Sequence, residues 1–280
     1  MIIARTRKDL IKTLQQFSQK PGKLALIPTM GNLHDGHLSL IRLAKLNAEK
    51  TITTIFVNPL QFGKNEDYNQ YPRTEEIDIL KLTKEKCDIL FIPINKNEVF
   101  PQYEKLKKIE TGKLGDELCG KIRPGHFNGV LTVVNKIFEM IKPDIAIFGA
   151  KDYQQQILIK QMAENLHPSL SLLKAPIIRS KNGVALSSRN NYLSEKEIKL
   201  ASNLFKCLKK SVESYKKNIS LYEIIENAKK FLISKNLDPD YFELRDTELN
   251  SVRDNNFKGN KIFLSSVKIN NTRLIDNIEF

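Results

Sequence analysis

Histidine and cysteine are scarce in this chain of 280 residues, at four and three respectively. Cys87, Cys119 and Cys207 lie far apart, and no two of them form C-x-x-C. That spacing argues against a zinc ribbon or a disulfide framework and fits a reducing compartment. The four histidines, His34, His37, His126 and His167, have no cysteine cluster beside them, which leaves too few ligands for a zinc site. Long apolar runs are missing as well. Charges interrupt every hydrophobic stretch before about 18 residues, the length a membrane span needs. The opening MIIARTRKDL lacks the apolar core of a signal peptide. The expectation is a soluble, cytoplasmic protein with no membrane span and no metal site of its own.

What is present is 41% hydrophobic residues, enough for one large domain or two modest ones with real cores. Lys and Arg number 45 against 32 Asp and Glu, a formal net charge of +13. A basic balance favours anionic partners such as nucleic acid, phosphorylated ligands or acidic small molecules. Lys, Asn and Ile are abundant together, as codon bias alone would produce, so charge says little here. A nucleic-acid binder would interleave basic and aromatic residues, and this chain does not.

Hydrophobic periodicity divides the first part into alternating units. Leu10, Ile11, Leu14 and Phe17 stand at helical spacing within residues 6–19, and Pro21-Gly22 stops them. Residues 23–28 read as a buried strand, 31–36 as a turn-rich loop, the stretch from His37 as a helix, and 51–57 as the next strand. Further cycles follow: helix 75–86, strand 88–92, helix 130–141, strand 145–148, a helix through Ile157, Ile159 and Met162, and a strand near 170–173. Alternation of this kind implies a Rossmann-like α/β parallel sheet with helices on both faces. Beyond Ile178 the texture changes. Ser194 and Glu197 form a capping box, two Lys-rich helices follow, and YFELR and KIFLSSVKI read as strands. The division is placed at residues 1–176 and 177–280, the second being a smaller α+β domain.

Five segments carry groups suited to chemistry. Met30, Gly31, Asn32, Leu33, His34, Asp35, Gly36 and His37 join a strand to a helix, and two imidazoles three positions apart at a helix N-terminus suit a phosphate chain. Asn58 and Gln61 leave the carboxyl end of the next strand, where ligands bind in open α/β sheets; an Asn-Pro turn with a surface Gln is the plainer reading. Arg123 and His126 lie in a loop leading to an apolar helix, facing a site or simply shaping the turn. Gly149, Ala150, Lys151 and Asp152 follow a later strand, with Gln155 one turn on. Lys151 can neutralise phosphate there, and Asp152 can cap the helix. Leu186, Ser187, Ser188 and Arg189 form either a phosphate clamp or a turn with a solvated Arg.

Taken together, PTMGNLHDGH, FVNPLQFGKNEDYNQYPRT, RPGHFNGVLTVV, FGAKDYQQ and GVALSSRNNYLS resemble the pantoate–β-alanine ligase (pantothenate synthetase) family in order and spacing, over about residues 23–193. That family sits in the nucleotidyltransferase-like α/β phosphodiesterase superfamily. The resemblance implies ATP-dependent condensation of (R)-pantoate with β-alanine through a pantoyl adenylate, releasing pyrophosphate and AMP. It implies ATP with Mg2+ held mainly by phosphates, and a homodimer with a C-terminal lid. Residues 30–37, Gly149, Ala150, Lys151, Asp152, Ile178, Leu186, Ser187, Ser188 and Arg189 would line the nucleotide site, with His34, His37, Lys151 and Arg189 as the catalytic groups. Gln61 and Gln155 would hold pantoate, with Asn58 nearby. The family usually has Glu where this chain has Ala150, and Thr or Met where it has Leu60. Another adenylate-forming or nucleotidyl-transferring enzyme of the superfamily is the alternative.

Overall fold

The short apolar run after Gly22 becomes an inner strand of a six-stranded sheet. The structure is a computed structural model and describes residues 1–19, 21–64, 66–255 and 257–280. Strands β1 (Ile2–Ala4), β2 (Leu24–Thr29), β3 (Lys50–Ile55), β4 (Ile89–Phe91), β5 (Ile145–Gly149) and β6 (Ser171–Ala175) lie in the order β1-β4-β3-β2-β5-β6. All neighbours pair in parallel. Parallel strands need crossovers, and these are α1 (Arg7–Ser18), α2 (Asp35–Asn47), α3 (Glu75–Lys84), the single turn α4 (Cys119–Ile122), α5 (His126–Ile141) and α6 (Tyr153–Leu166). Right-handed crossovers place α2 and α3 on one face and α1, α5 and α6 on the other. On the first face Ala25, Ile27, Leu90, Ile145 and Ile147 pack with Leu38, Ile41, Ala44 and Leu82.

From β2 the chain runs outward through β3 and β4, whereas from β5 it runs the opposite way to β6. Strand order therefore reverses between β2 and β5, and the crevice beyond their carboxyl ends is where such sheets take ligands. Differences from the sequence reading are local. The three-residue edge strand β1 is too short to show a period. Helix α2 starts at Asp35, inside the segment read as loop, and α5 starts at His126, four residues before Val130.

Two compact units result: Met1–Ala150 with Gln155–Pro176, and Lys151–Gln154 with Ile177–Phe280. The second holds α7 (Glu195–Lys216), α8 (Leu221–Ser234) and an antiparallel meander of β7 (Asp238–Asp246), β8 (Lys261–Ile269) and β9 (Thr272–Glu279). Helix α7 opens with the capping box: Ser194 N donates to Glu197 Oε2 at 2.7 Å, and Glu197 N to Ser194 Oγ at 3.3 Å. Leu204, Leu208 and Val212 of α7 and Ile224, Ala228 and Leu232 of α8 pack on Phe242, Leu244, Phe263 and Val267 of the sheet. All three cysteines are free of disulfides and buried; burial pushes the Cys207 thiol up to about 12. No helix among the described residues is long and apolar enough to cross a membrane.

Candidate active site

The loop leaving β2 makes its turn with two successive residues in the left-handed region, Gly31 at φ 82° and Asn32 at φ 49°. A side chain at Gly31 would stand 3.0 Å from Ile55 Cγ2 and 3.2 Å from Asp78 Oδ2, so the turn is tight as well as left-handed. Asp78 of α3 fixes it. Its fully buried carboxylate accepts Asn32 N on Oδ2 and Leu33 N on Oδ1, each at 2.8 Å, and Thr74 Oγ1 at 3.2 Å. Lys81 Nζ, one turn further along α3, donates to Leu33 O.

His34 then becomes the N-cap of α2. Its Nδ1 accepts Gly36 N at 3.1 Å, and His37 Nδ1 accepts His34 N at 3.3 Å, so two imidazoles do the work that Ser and Glu do in an ordinary capping box. The rings lie with centroids 4.1 Å apart, tilted by 32°. A ring nitrogen that accepts an amide carries no proton, so each neutral ring bears its proton on Nε2. Both rings are therefore donors at Nε2, at the positive end of the α2 dipole.

The loop after β3 sits beside this one. Asn58, buried, caps the short 3-10 turn Pro59–Gln61 by accepting Leu60 N at 3.2 Å. Its amide donates to Gln61 Oε1 and to Gly129 O, both at 3.1 Å, and Gln61 Nε2 lies 3.3 Å from Met30 Sδ. A Cβ on Gly129 would come within 2.1 Å of Leu60 O, so only glycine lets α5 approach this turn. Arg123 grips Glu66 with both ends of its fork, at 2.6 and 2.7 Å. Arg123 Nη1 donates to His126 Nε2 at 2.8 Å, and His126 Nδ1 in turn donates to Gln61 O at 2.7 Å. Arg123 and His126 thus shape the turn, and through it they hold Gln61. Asn65, inside this motif, lies outside the described residues.

Gly149 ends β5, and open space surrounds the position of a Cβ there. Ala150, Lys151 and Asp152 form a 3-10 turn leading into α6, and Gln155 lies in the first turn of that helix, half-buried. Within the second unit, Lys151 Nζ stands 3.5 Å from Asp152 Oδ2. Residues 178–186 make a tight hairpin: Leu186 N donates to Ile178 O, Ser180 N to Val184 O and Gly183 N to Ser180 O, each at 2.9 Å. Ser187 follows as N-cap of the 3-10 turn Ser188–Tyr192, its Oγ accepting Arg189 N at 3.3 Å. Structure thus brings Met30, His34, His37, Asn58 and Gln61 together in the first unit, and groups Lys151 and Asp152 with Ile178 and Leu186–Arg189 in the second. Asp78, Lys81 and Glu66 escaped sequence reasoning.

No group of three or more His, Cys, Asp or Glu among the described residues is placed to hold a metal ion. A family model described as pantoate-beta-alanine ligase matches residues 2–279. The chain belongs to the pantoate–β-alanine ligase family. The pantothenate synthetase of Shewanella woodyi is 41% identical over 281 residues, covering 100% of this chain and 99% of the relative. That of Buchnera aphidicola subsp. Acyrthosiphon pisum is 43% identical over 280 residues, covering 99% and 98%. Among solved structures, pantothenate synthetase from Thermus thermophilus matches with a TM-score of 0.92 at 33% identity over 99% of both chains. Pantoate-beta-alanine ligase from Francisella tularensis, complexed with beta-gamma ATP and beta-alanine, matches with a TM-score of 0.83 at 32% identity, over 99% of this chain and 97% of that one.

Asp78→Asn leaves one acceptor oxygen and turns an N–H toward a loop amide. It should lower stability by about 1–3 kcal/mol in denaturant unfolding, and an unchanged midpoint would rule out the clamp. For Glu66, burial raises the carboxyl, but the hydrogen bonds and charge of Arg123 outweigh it and hold the group at about 2 against an ordinary 4.5. A native value below the unfolded one stabilises the fold above about pH 4.5, and that contribution disappears as pH falls toward 2. Melting temperature followed from pH 6 to 3 should therefore fall less steeply in Glu66→Gln than in the parent chain.

Proposed function

We propose that this chain condenses (R)-pantoate with β-alanine to give pantothenate, cleaving ATP to AMP and pyrophosphate through an enzyme-bound pantoyl adenylate. The observation that carries the reading is the pair of imidazoles capping α2 with Nε2 as donor, next to the Asn58–Gln61 amides, in a chain of this family. Pantoate's carboxylate is already a nucleophile, so the first step asks for alignment and charge neutralisation rather than covalent help. A carboxylate oxygen bonds to the α-phosphorus as the bond to the pyrophosphate oxygen breaks. β-Alanine's unprotonated amine then attacks the acyl carbon, and AMP leaves.

In this reading the segment Met30–His37 lines the nucleotide, with His34 and His37 donating from Nε2 to phosphoryl oxygens and His37 as proton donor. Lys151 and Arg189 place positive charge on the phosphates, and Ser187 and Ser188 add hydroxyl donors. Gly149, Ala150, Asp152, Ile178 and Leu186 complete the nucleotide contacts. With Ala where relatives usually have Glu, position 150 would contribute backbone only. Gln61 and Gln155 hold pantoate, and Asn58 keeps the Gln61 amide aimed. Mg2+ belongs to the proposal as Mg-ATP, bound by phosphate oxygens and water and lowering their charge. A division at residue 176 into a nucleotide- and pantoate-binding domain and a C-terminal lid is supported by the break between Pro176 and Ile177; a homodimer and a cytoplasmic location are supported by the family resemblance, the location also by the three widely spaced cysteines.

Pantoate-dependent exchange of labelled pyrophosphate into ATP tests the substrate, the nucleotide and the first half-reaction at once. Exchange with another acid and none with pantoate would overturn the reading. His37→Ala and Lys151→Ala should each lose about 100–1,000-fold in turnover, the usual effect of removing a transition-state donor; melting temperature should stay level in Lys151→Ala and fall by a few degrees in His37→Ala, which also loses its part of the α2 cap. Gln155→Ala should raise the KM for pantoate while that for ATP stays level.

A further inference from the structure

Two adjacent residues near the end of the chain, Asp276 and Asn277 on the edge strand β9, are 3% and 4% exposed. Neighbours on a strand point to opposite faces, so one dipeptide can serve two elements. Asn277 Nδ2 donates to the backbone carbonyl of Lys151 at 3.1 Å. Asp276 takes the Arg179 fork on both oxygens, at 2.6 and 2.8 Å, and Arg179 adds Asn277 O at 3.3 Å. Arg179 also donates to Gly183 O at 3.1 Å and lies 3.6 Å from the centre of the Phe205 ring. It thereby closes the hairpin that delivers Leu186, Ser187, Ser188 and Arg189. Lys151 and the Ser-Ser-Arg turn come from stretches of sequence far apart, yet both hang on the same two positions of β9.

We propose that Asp276 and Asn277 are positioning residues for the nucleotide: Asn277 sets Lys151, and Asp276, through Arg179, sets the turn carrying Arg189. This rests on the reading that Lys151 and Arg189 address ATP phosphates. A buried, bidentate pair is chosen over a surface one because its geometry has few alternatives, which suits alignment rather than stability.

Double-mutant cycles on turnover test it, since a residue that acts only through another has no effect once that other is gone. Asn277→Ala should lower kcat in pyrophosphate exchange about three- to tenfold, the effect of one lost hydrogen bond, and leave kcat unchanged in the Lys151→Ala background. Arg179→Lys, which keeps the charge and loses the fork, should likewise lower kcat, and by a clearly smaller factor in the Arg189→Ala background, where only Leu186, Ser187 and Ser188 are left for the hairpin to place. The same factor in both backgrounds, or none in the parent, overturns the proposal, because a structural role would multiply through. If Asn277→Ala does not fold, Asn277→Ser takes its place in the cycle with the same expectation. The parent chain separates the two readings. Absence of pantoate-dependent exchange there ends the functional reading, whereas exchange with flat cycles ends this inference alone.

Discussion

A buried carboxylate holding two backbone amides is the constraint on which the first unit's candidate site depends. Without Asp78, the Asn32 and Leu33 N–H groups would lose this acceptor in a turn that also places a non-glycine residue at φ 49°. Such backbone persists only where its surroundings over-determine it. The turn sets where α2 begins, and the start of α2 makes His34 a cap. The cap fixes the tautomer of both rings. Each link is geometric, so the fold itself fixes where the two Nε2 donors point; in the proposed reaction this is the preorganisation that electrostatic stabilisation requires.

The same logic recurs around Gln61. Its backbone oxygen takes His126, its side-chain oxygen takes Asn58, and Gly129 permits the approach that makes both reachable. Arg123 keeps its charge occupied by Glu66, and Arg179 and Arg245 are likewise engaged, by Asp276 and Glu243. The count of 45 Lys and Arg therefore overstates the positive groups available to a ligand. Several of the cations with the best hydrogen-bonding forks are part of the scaffold.

The parallel sheet was legible because strands buried on both faces read as apolar runs, as β2 and β5 do. β1 was not, being three residues at an edge, and β9 was not, because Thr272, Arg273, Asp276 and Asn277 break its alternation. The motifs at strand ends could be read because their residues act within a few positions of one another. Asp78 could have been flagged as an acid four residues before Leu82 on the buried stripe of α3. Glu66 and Arg123 are 57 positions apart, and Asn277 and Lys151 are 126 apart. Pairs at such separations leave no periodic trace, and only folding brings them together.

The second unit is not a contiguous stretch of chain: it claims the short insert Lys151–Gln154 from the midst of the first. Tyr153, within that insert, donates from its hydroxyl to Thr247 O at 3.0 Å. A fragment cut at residue 177 would thus leave the Thr247 carbonyl and the Asn277 amide without these protein partners. The two units share one thread in a way that discourages gene fission, domain shuffling or separate expression.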